Sequence, residues 1–145
     1  MLGNEVSVLN EEGPLIWALD DERMTLELMK DMLEPGGYRF EGFEDEQQLF
    51  EMLNTGGEPP AILLLDWMLR GCSGHEVLKD WLVHCPEVPV IVVTALSGES
   101  VLLNAFEAGA CDVVRKPFDV SELLARIGYQ ISSHAQHANE HLMVR

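Results

Sequence analysis

Positively charged residues are scarce in this sequence of 145 residues, which has nine Lys and Arg against twenty-five Asp and Glu and a formal net charge of −16. Proteins that bind nucleic acid neutralise its phosphates with Lys and Arg. We therefore expect no direct nucleic-acid binding by this segment. Part of the excess acid could bind a cation, and we expect most of it at the solvated surface.

Long apolar runs are also lacking. None approaches the ~20 residues that a membrane-spanning helix needs, and the start of the chain has neither the basic segment nor the apolar stretch of a secretory signal. We therefore expect a cytoplasmic location and no membrane partner. Cysteine is rare as well: Cys72, Cys85 and Cys111 are odd in number and lie at no metal-ligand spacing, which predicts reduced thiols.

The composition is typical of a soluble globular domain, with 47% apolar and 23% charged residues. We predict an N-terminal tail over residues 1–13 and one folded domain over residues 14–131. Residues 132–145 continue a helical pattern and are either a helical extension or the start of a linker to an output domain. We favour the linker, which makes the chain a segment of a longer protein.

Five short apolar runs, predicted as strands, alternate with five segments in which apolar residues recur at helical spacing. The strands are predicted at residues 15–19, 38–43, 61–65, 88–94 and 111–115. Strict β-α alternation predicts a parallel sheet with helices on both faces. For five units we predict the doubly wound, flavodoxin-like order 2-1-3-4-5. The second strand alternates more in polarity and should lie at an edge.

Polar residues follow the predicted strands at the ends where such folds bind ligands. Asp20 and Asp21 follow the first strand and Asp66 follows the third, and these two strands are neighbours at roughly 4.8 Å. Two carboxylates ~5 Å apart repel by about 3 kcal/mol at an effective dielectric constant of ~20. A hard divalent cation would offset this repulsion, and oxygen ligands suit Mg²⁺ or Mn²⁺.

Two further polar residues lie at the same edge: Thr94 ends the fourth strand, and Lys116 follows the fifth. Thr94 offers a hydroxyl one strand away from Asp66, and the long side chain of Lys116 can reach back over the same crevice. Each residue alone has an ordinary explanation, since Asp caps helices and Lys in a loop is usually solvated. Their joint placement at the ends of four strands favours a functional site.

Several sequence segments resemble the receiver domain of two-component response regulators, a chemotaxis-regulator-like phosphoacceptor domain of bacterial-type signalling. The resemblance covers roughly residues 14–131. The matching segments are Leu-Asp-Asp (19–21), Leu-Leu-Leu-Asp-Trp-Met-Leu-Arg-Gly-Cys-Ser-Gly (63–74), Val-Thr-Ala (93–95), Glu-Ala-Gly-Ala-Cys-Asp (107–112) and Lys-Pro-Phe (116–118).

The resemblance implies a role for each residue of the site. Asp66 would be the phosphoacceptor, attacking the phosphohistidine of a sensor histidine kinase or phosphotransfer protein. Asp21, Asp66 and the backbone carbonyl of Met68 would bind Mg²⁺ directly, and Asp20 would act mainly through water. The domain would not be an enzyme beyond its own phosphotransfer and dephosphorylation.

The resemblance also implies a switch. Thr94 would be the switch hydroxyl and Lys116 the phosphoryl counter-ion, with a cis peptide bond before Pro117. The face formed by helix 4, strand 5 and helix 5 would then control an output domain or partner protein, or a homodimer.

The sequence departs from the family pattern at two positions. Arg70 replaces a usual proline, which removes no ligand, and Val113 replaces the usual switch aromatic. Three residues border the site: Trp67 beside the acceptor, and Ala95 and Leu96 after the switch Thr. Apolar side chains at Met68 and Leu96 predict a long-lived phosphoryl group, because neither orients water strongly.

Three alternatives compete with this interpretation. A haloacid-dehalogenase-like phosphatase also has an Asp nucleophile after a strand, but it needs a second Asp at the position of Met68. A P-loop nucleotide hydrolase needs a Gly-Lys-Ser or Gly-Lys-Thr motif, which is lacking. A degenerate, phosphate-independent receiver remains open, although all five polar site residues are present.

Overall fold

The computed structural model describes the backbone of residues 12–144 and the side chains of residues 12–135. Five parallel strands form one sheet in the order β2-β1-β3-β4-β5. Their bounds are β1 Leu15–Leu19, β2 Arg39–Phe43, β3 Ile62–Leu65, β4 Val90–Thr94 and β5 Asp112–Arg115. The predicted order and the edge position of the second strand are confirmed.

Helices connect the strands, as the alternating pattern predicts. They are α1 Arg23–Leu33, α2 Glu46–Asn54, α3 Gly74–His84, α4 Glu99–Ala108 and α5 Val120–Val144, with a short 3₁₀ helix at Glu34–Gly36. Helix α5 continues without a break to Val144. The predicted tail over residues 1–13 lies almost wholly outside the described residues.

The first strand has the predicted bounds, and the other four begin one or two residues later than predicted. Two of the residues just before them bond back into the preceding connection, whereas Ala61 and Cys111 already donate to the neighbouring strands β1 and β4. Tyr38 donates its backbone N–H to the carbonyl of Leu33 at the end of α1, and Val88 donates to Cys85. Pro89, which follows Val88, has no N–H to donate to a ladder.

Each face of the sheet carries its own apolar core, because alternate residues of a strand point to opposite faces. Trp17 and Leu63 face α2, α3 and α4, where the fully buried Trp81 packs edge-on against Trp17 at a centroid distance of 6.0 Å. Ile16 and Leu64 face α1 and α5 on the other side. Both tryptophans are packing residues of this core.

The buried face of α1 includes only part of its apolar residues. Leu26, Met29 and Leu33 are the buried residues of this helix. Leu28, another apolar residue of the helix, is 48% exposed. The i, i+3, i+7 spacing of the buried residues keeps them on one side of the helix, whereas Leu28 lies away from it.

The three cysteines are free, in agreement with the expectation of reduced thiols. Burial is the main cause that raises the pKa of the Cys111 thiol to about 12. In the part of the chain that the structure describes, we find no helix with both the length and the apolar character needed to cross a membrane.

Candidate functional site

The backbone of the sheet fixes two of the acidic residues. Asp20, one residue after β1, donates its N–H to the carbonyl of Phe43 in β2 at 3.1 Å. Asp66, one residue after β3, donates its N–H to the carbonyl of Leu19 in β1 at 3.0 Å. Both residues therefore continue the hydrogen-bond ladder by one step, and both side chains begin from the carboxyl edge of the sheet.

Three carboxylates converge at this edge. Oxygen atoms of Asp20, Asp21 and Asp66 all lie within 4.8 Å of one another. Asp20 is 1% exposed and Asp66 is 7% exposed, whereas Asp21 is partly exposed. The adjacency of β1 and β3 produces this cluster, as the strand order predicts.

Lys116 neutralises part of the cluster from the far side of β4. Its backbone N–H bonds to the carbonyl of Thr94 at 2.9 Å, which holds the residue at the end of β5. Its Nζ donates to Oδ2 of Asp20 at 2.6 Å and to Oδ2 of Asp66 at 3.4 Å. Burial opposes its charge, but the bond to Asp20 and the nearby carboxylates outweigh that effect and raise the pKa of Lys116.

Asp66 has a mixed electrostatic environment. Burial is the largest influence and raises the pKa of its carboxyl group, while the charge of Lys116 and the N–H of Met68 act in the opposite direction. That N–H donates to Oδ1 of Asp66 at 3.2 Å. Each oxygen of Asp66 therefore has one donor, and the group keeps unused lone pairs that face the crevice.

The other two carboxylates also accept backbone hydrogen bonds. Oδ1 of Asp20 accepts from the N–H of Glu22 at 2.9 Å, in a turn that leads into α1. Oδ2 of Asp21 accepts from the N–H of Arg70 at 3.0 Å. The second bond ties the loop between β3 and α3 to the residue pair after β1.

Gly74 brings the first turn of α3 against the backbone of Asp66 and Trp67. Its N–H donates to the carbonyl of Trp67 at 3.0 Å. A Cβ atom at Gly74 would lie 2.6 Å from Cα of Trp67 and 2.7 Å from the carbonyl oxygen of Asp66. The sequence interpretation assigns no role to this residue, and its one signal is its place after Ser73, which caps α3 by accepting from the N–H of Glu76.

The hydroxyl of Thr94 is buried at the end of β4. The residue is 1% exposed, and its Oγ1 accepts from the N–H of Leu96 at 3.1 Å. Ala95 is exposed and Leu96 is partly exposed. The side chain of Met68, on the other loop, is 60% exposed, so apolar groups from two loops are available near the crevice.

Two of the sequence-identified residues lie against the core of the α2, α3 and α4 face. Val113 is partly buried in β5, and Trp67 is partly buried directly after Asp66. The ring of Trp67 contacts His75 edge-on at a centroid distance of 5.8 Å. The Lys116–Pro117 peptide bond is cis, in agreement with the expectation from sequence.

The donor set fits a hard divalent cation. Within the described residues, Asp20, Asp21 and Asp66 form the group of three that could bind a metal, and all their donor atoms are carboxylate oxygens. Mg²⁺ and Mn²⁺ prefer such ligands, whereas a site for Zn²⁺ would normally include His or Cys. The three carboxylates and the single positive charge of Lys116 together carry a net negative charge.

A comparison with protein families identifies the type of domain. The model of the response regulator receiver domain matches residues 16–128, which is most of the chain. The chain belongs to this family. Receiver domains serve signalling and are not conventional enzymes.

Two curated relatives show how much of a longer protein this receiver domain represents. The chain is 35% identical over 119 residues to PhoB, the phosphate regulon transcriptional regulatory protein of Pseudomonas aeruginosa, covering 79% of this chain and 50% of PhoB. It is 30% identical over 122 residues to the DNA-binding transcriptional regulator NtrC of Escherichia coli K12, covering 84% of this chain and 26% of NtrC. The chain thus spans half or less of the length of these relatives.

Solved structures of receiver domains share the fold. The BeF3-activated DrrB receiver domain is 33% identical, with a TM-score of 0.72 over 83% of this chain and 98% of that domain. A response regulator from Thermotoga maritima is 27% identical, with a TM-score of 0.76 over 83% of this chain and 98% of that protein. A CheY-like receiver domain protein from Methanospirillum hungatei reaches a TM-score of 0.78 over 87% of this chain and 99% of that one at 23% identity, a likeness of fold alone.

Proposed function

We propose that this receiver domain accepts a phosphoryl group on Asp66 from a sensor histidine kinase or phosphotransfer protein. The observation that carries the proposal is the contact of Asp66 with Lys116 at 3.4 Å inside a cluster of three carboxylates. That arrangement supplies a nucleophile, a fixed cation and oxygen ligands within one crevice.

In the proposed reaction, a carboxylate oxygen of Asp66 attacks the phosphorus of the phosphohistidine. A P–O bond forms and the P–N bond breaks, and the imidazole nitrogen leaves with the electron pair and takes a proton from solvent. The product is an acyl phosphate on Asp66. The N–H of Met68 and the Nζ of Lys116 hold the carboxylate before the attack, so little reorientation is needed.

Lys116 has a second partner that matters for this step. It bonds to Asp20 at 2.6 Å and can stay charged throughout, because the surrounding carboxylates raise its pKa. A phosphoryl group on Asp66 brings a charge of about −2 and three acceptor oxygens. Lys116 can then donate to one of these oxygens while it keeps its contact with Asp20.

Asp20, Asp21, Asp66 and the backbone carbonyl of Met68 would hold Mg²⁺ or Mn²⁺. A bound ion would supply positive charge beside the transferred phosphoryl oxygens, which carry the charge of the transition state. The side chain of Met68 has no part in this, since the backbone carbonyl is the proposed ligand.

The proposed switch runs from the site to the face formed by α4, β5 and α5. Thr94 ends β4 and its Oγ1 already binds the N–H of Leu96, so a hydrogen bond from this hydroxyl to a phosphoryl oxygen would pull on the loop into α4. Val113 occupies the position in β5 where the family usually has the switch aromatic. Any rearrangement of β5 on phosphorylation would therefore involve a smaller side chain.

The proposed partners follow from the family and from the length of the relatives. PhoB and NtrC are transcriptional regulators of which the chain matches half or less, and α5 runs on to Val144. We infer that residues 132–145 begin a linker to an output domain, that the switching face controls this output or a homodimer, and that the protein acts in the cytoplasm.

Labelling with a small phosphodonor tests the acceptor assignment. Acetyl phosphate with Mg²⁺ should add one phosphoryl group, detected as a mass increase and mapped to Asp66, because the site is assembled without the kinase. The Asp66→Asn variant should not be labelled, and excess chelator should prevent labelling of the wild type. Asp80→Asn, an exposed change on α3, is the matched control and should label normally.

Two results would contradict the proposal. Label that persists in Asp66→Asn would move the acceptor elsewhere. A wild-type domain that takes no label from acetyl phosphate or from any phosphorylated histidine donor would favour a degenerate receiver.

A further inference from the structure

Besides Lys116, the site contains a second positively charged side chain, that of Arg70. Arg70 lies in the loop between β3 and α3, and its Nε is 3.6 Å from Oδ2 of Asp21. Its backbone N–H donates to the same oxygen at 3.0 Å. One oxygen of Asp21 therefore accepts a hydrogen bond from the backbone of Arg70 and forms a longer ion-pair contact with its side chain.

The structure of the loop explains why Arg70 stands where it does. Met68 and Ser73 form a bridge that closes the loop, and Gly71 adopts a φ of 86° that turns the chain at its tip. Arg70 precedes this turn and so faces back toward Asp21. A proline at this position, which is usual in the family, would lack the N–H that Asp21 accepts.

The charges of the site divide into a group of three and a pair. Lys116 serves Asp20 and Asp66 from the β5 side, and Arg70 serves Asp21 from the opposite loop. Any dication that uses Asp21 as a ligand must therefore meet the guanidinium of Arg70 as a nearby like charge. The side chain of Arg70 is 87% exposed, so it can move away.

If a bound dication displaces the side chain of Arg70, a pocket next to the loop can accommodate it. A cavity of about 190 Å³ is lined by Arg70 together with Glu44, Asp45 and Glu46 of the segment that leads into α2. Glu44 already pairs with Arg23, and Asp45 caps α2. The guanidinium can share these acids at little cost, since exposed ion pairs are weak.

From these contacts we infer that Arg70 competes with the divalent cation for Asp21, and so lowers the affinity of the site for Mg²⁺. This inference rests on the proposed metal site. Arg70 thus sets the concentration of Mg²⁺ at which the domain becomes competent, without touching the phosphoryl group.

Calorimetric titration of the domain with MgCl₂ tests this inference without any measurement of phosphorylation. At low salt, Arg70→Ala should lower the Kd for Mg²⁺ by up to about fivefold, the range expected for removal of one exposed ion pair. Arg70→Gln, which keeps a long side chain, should give the same shift. Both variants retain the backbone N–H that binds Asp21.

Two controls separate competition at Asp21 from the general effect of net charge. Lys79→Ala removes one positive charge from the exposed side of α3 and should leave the Kd unchanged. Raising the salt concentration to 1 M shortens the Debye length to about 3 Å and should bring the Kd of Arg70→Ala and wild type together.

Each other result has a defined meaning. An equal or higher Kd in both Arg70 variants, or an equal shift in Lys79→Ala, overturns the inference and leaves the proposed function standing. A lack of Mg²⁺ binding in wild type and variants alike overturns the metal assignment and this inference with it.

Discussion

Lys116 makes its shorter contact with Asp20 and not with Asp66: the two Nζ–Oδ2 distances are 2.6 and 3.4 Å. Lys116 and Asp20 are 96 positions apart in sequence. They follow β5 and β1, which are separated in the sheet by β3 and β4. The lysine that the sequence suggests as a counter-ion for a phosphoryl group is therefore also a structural partner of the most buried carboxylate in the cluster.

A first prediction concerns this pair. Lys116→Met should lower the free energy of unfolding by about 2–4 kcal/mol in the presence of chelator, because it leaves Asp20 buried without a counter-ion. Urea denaturation measures the change. Lys79→Met, at an exposed position, should stay within about 0.5 kcal/mol of wild type.

Adding Asp20→Asn to the Lys116→Met variant should restore part of the loss, since the unpaired charge is then gone. If the double variant is no more stable than Lys116→Met alone, the loss has a cause other than the uncompensated carboxylate of Asp20.

A second prediction concerns the pH dependence that Asp66 contributes. Because burial raises its pKa in the folded state, ionisation of Asp66 costs stability. The cost is absent below its unfolded-state pKa near 3.8 and grows as the pH rises through the folded-state value. In chelator, Asp66→Asn should therefore be more stable than wild type at pH 7, with a gain that vanishes toward pH 3.

Denaturant melts of both proteins across this pH range measure the difference. Asp80→Asn, an exposed change on α3, should show a flat difference. A stability gain in Asp66→Asn that is independent of pH would argue against the burial cost.

A third prediction concerns the lifetime of the phosphorylated state. Met68 and Leu96 carry apolar side chains on the two loops near the crevice and cannot orient an attacking water. Replacing both with Asn and Glu should speed the loss of phosphate by on the order of tenfold, equivalent to 1.36 kcal/mol in the barrier. The decay of labelled protein after removal of acetyl phosphate gives the rate. Equal rates would mean that the lifetime is set elsewhere.

A fourth prediction concerns the close approach at the start of α3. Gly74→Ala places a methyl group against backbone atoms of Asp66 and Trp67 at 2.6–2.7 Å. We expect a loss of about 1–3 kcal/mol in stability, the usual cost of overpacking, and slower labelling of Asp66. Gly57→Ala, whose nearest neighbour would be Oγ1 of Thr55 at 3.6 Å, is the control and should have little effect on either.

The sequence predicts the sheet and the carboxylate cluster well. Both depend on the apolar pattern of the strands and on the polar residues that follow them. A nearly continuous apolar strand such as Ile62–Leu65 must be covered on both faces, which predicts a parallel sheet between helices. The order 2-1-3-4-5 of that sheet then places Asp66 beside Asp20. Strand starts are less well predicted, because residues such as Tyr38 and Val88 have strand-like side chains but use their N–H groups in turns.

Side-chain pairing is the part that the sequence could not supply. The stronger contact of Lys116 with Asp20 depends on where a flexible side chain ends, and the bond from Arg70 to Asp21 depends on how the loop closes between Met68 and Ser73. The exposure of Leu28 likewise depends on the rotation of α1 against the sheet. These features depend on positions that differ by a few ångströms, and the periodicity of residues in the sequence does not resolve differences of that size.

The hydrogen bonds from the N–H groups of Asp20 and Asp66 to neighbouring strands have a consequence for motion. These amides should exchange with solvent only when the sheet itself opens, so the backbone of Asp66, the proposed acceptor, should stay in place. In the proposed reaction the phosphoryl donor would then adapt to a fixed target. Displacement after phosphorylation should begin in the loops around Arg70 and Leu96, which the sheet does not hold.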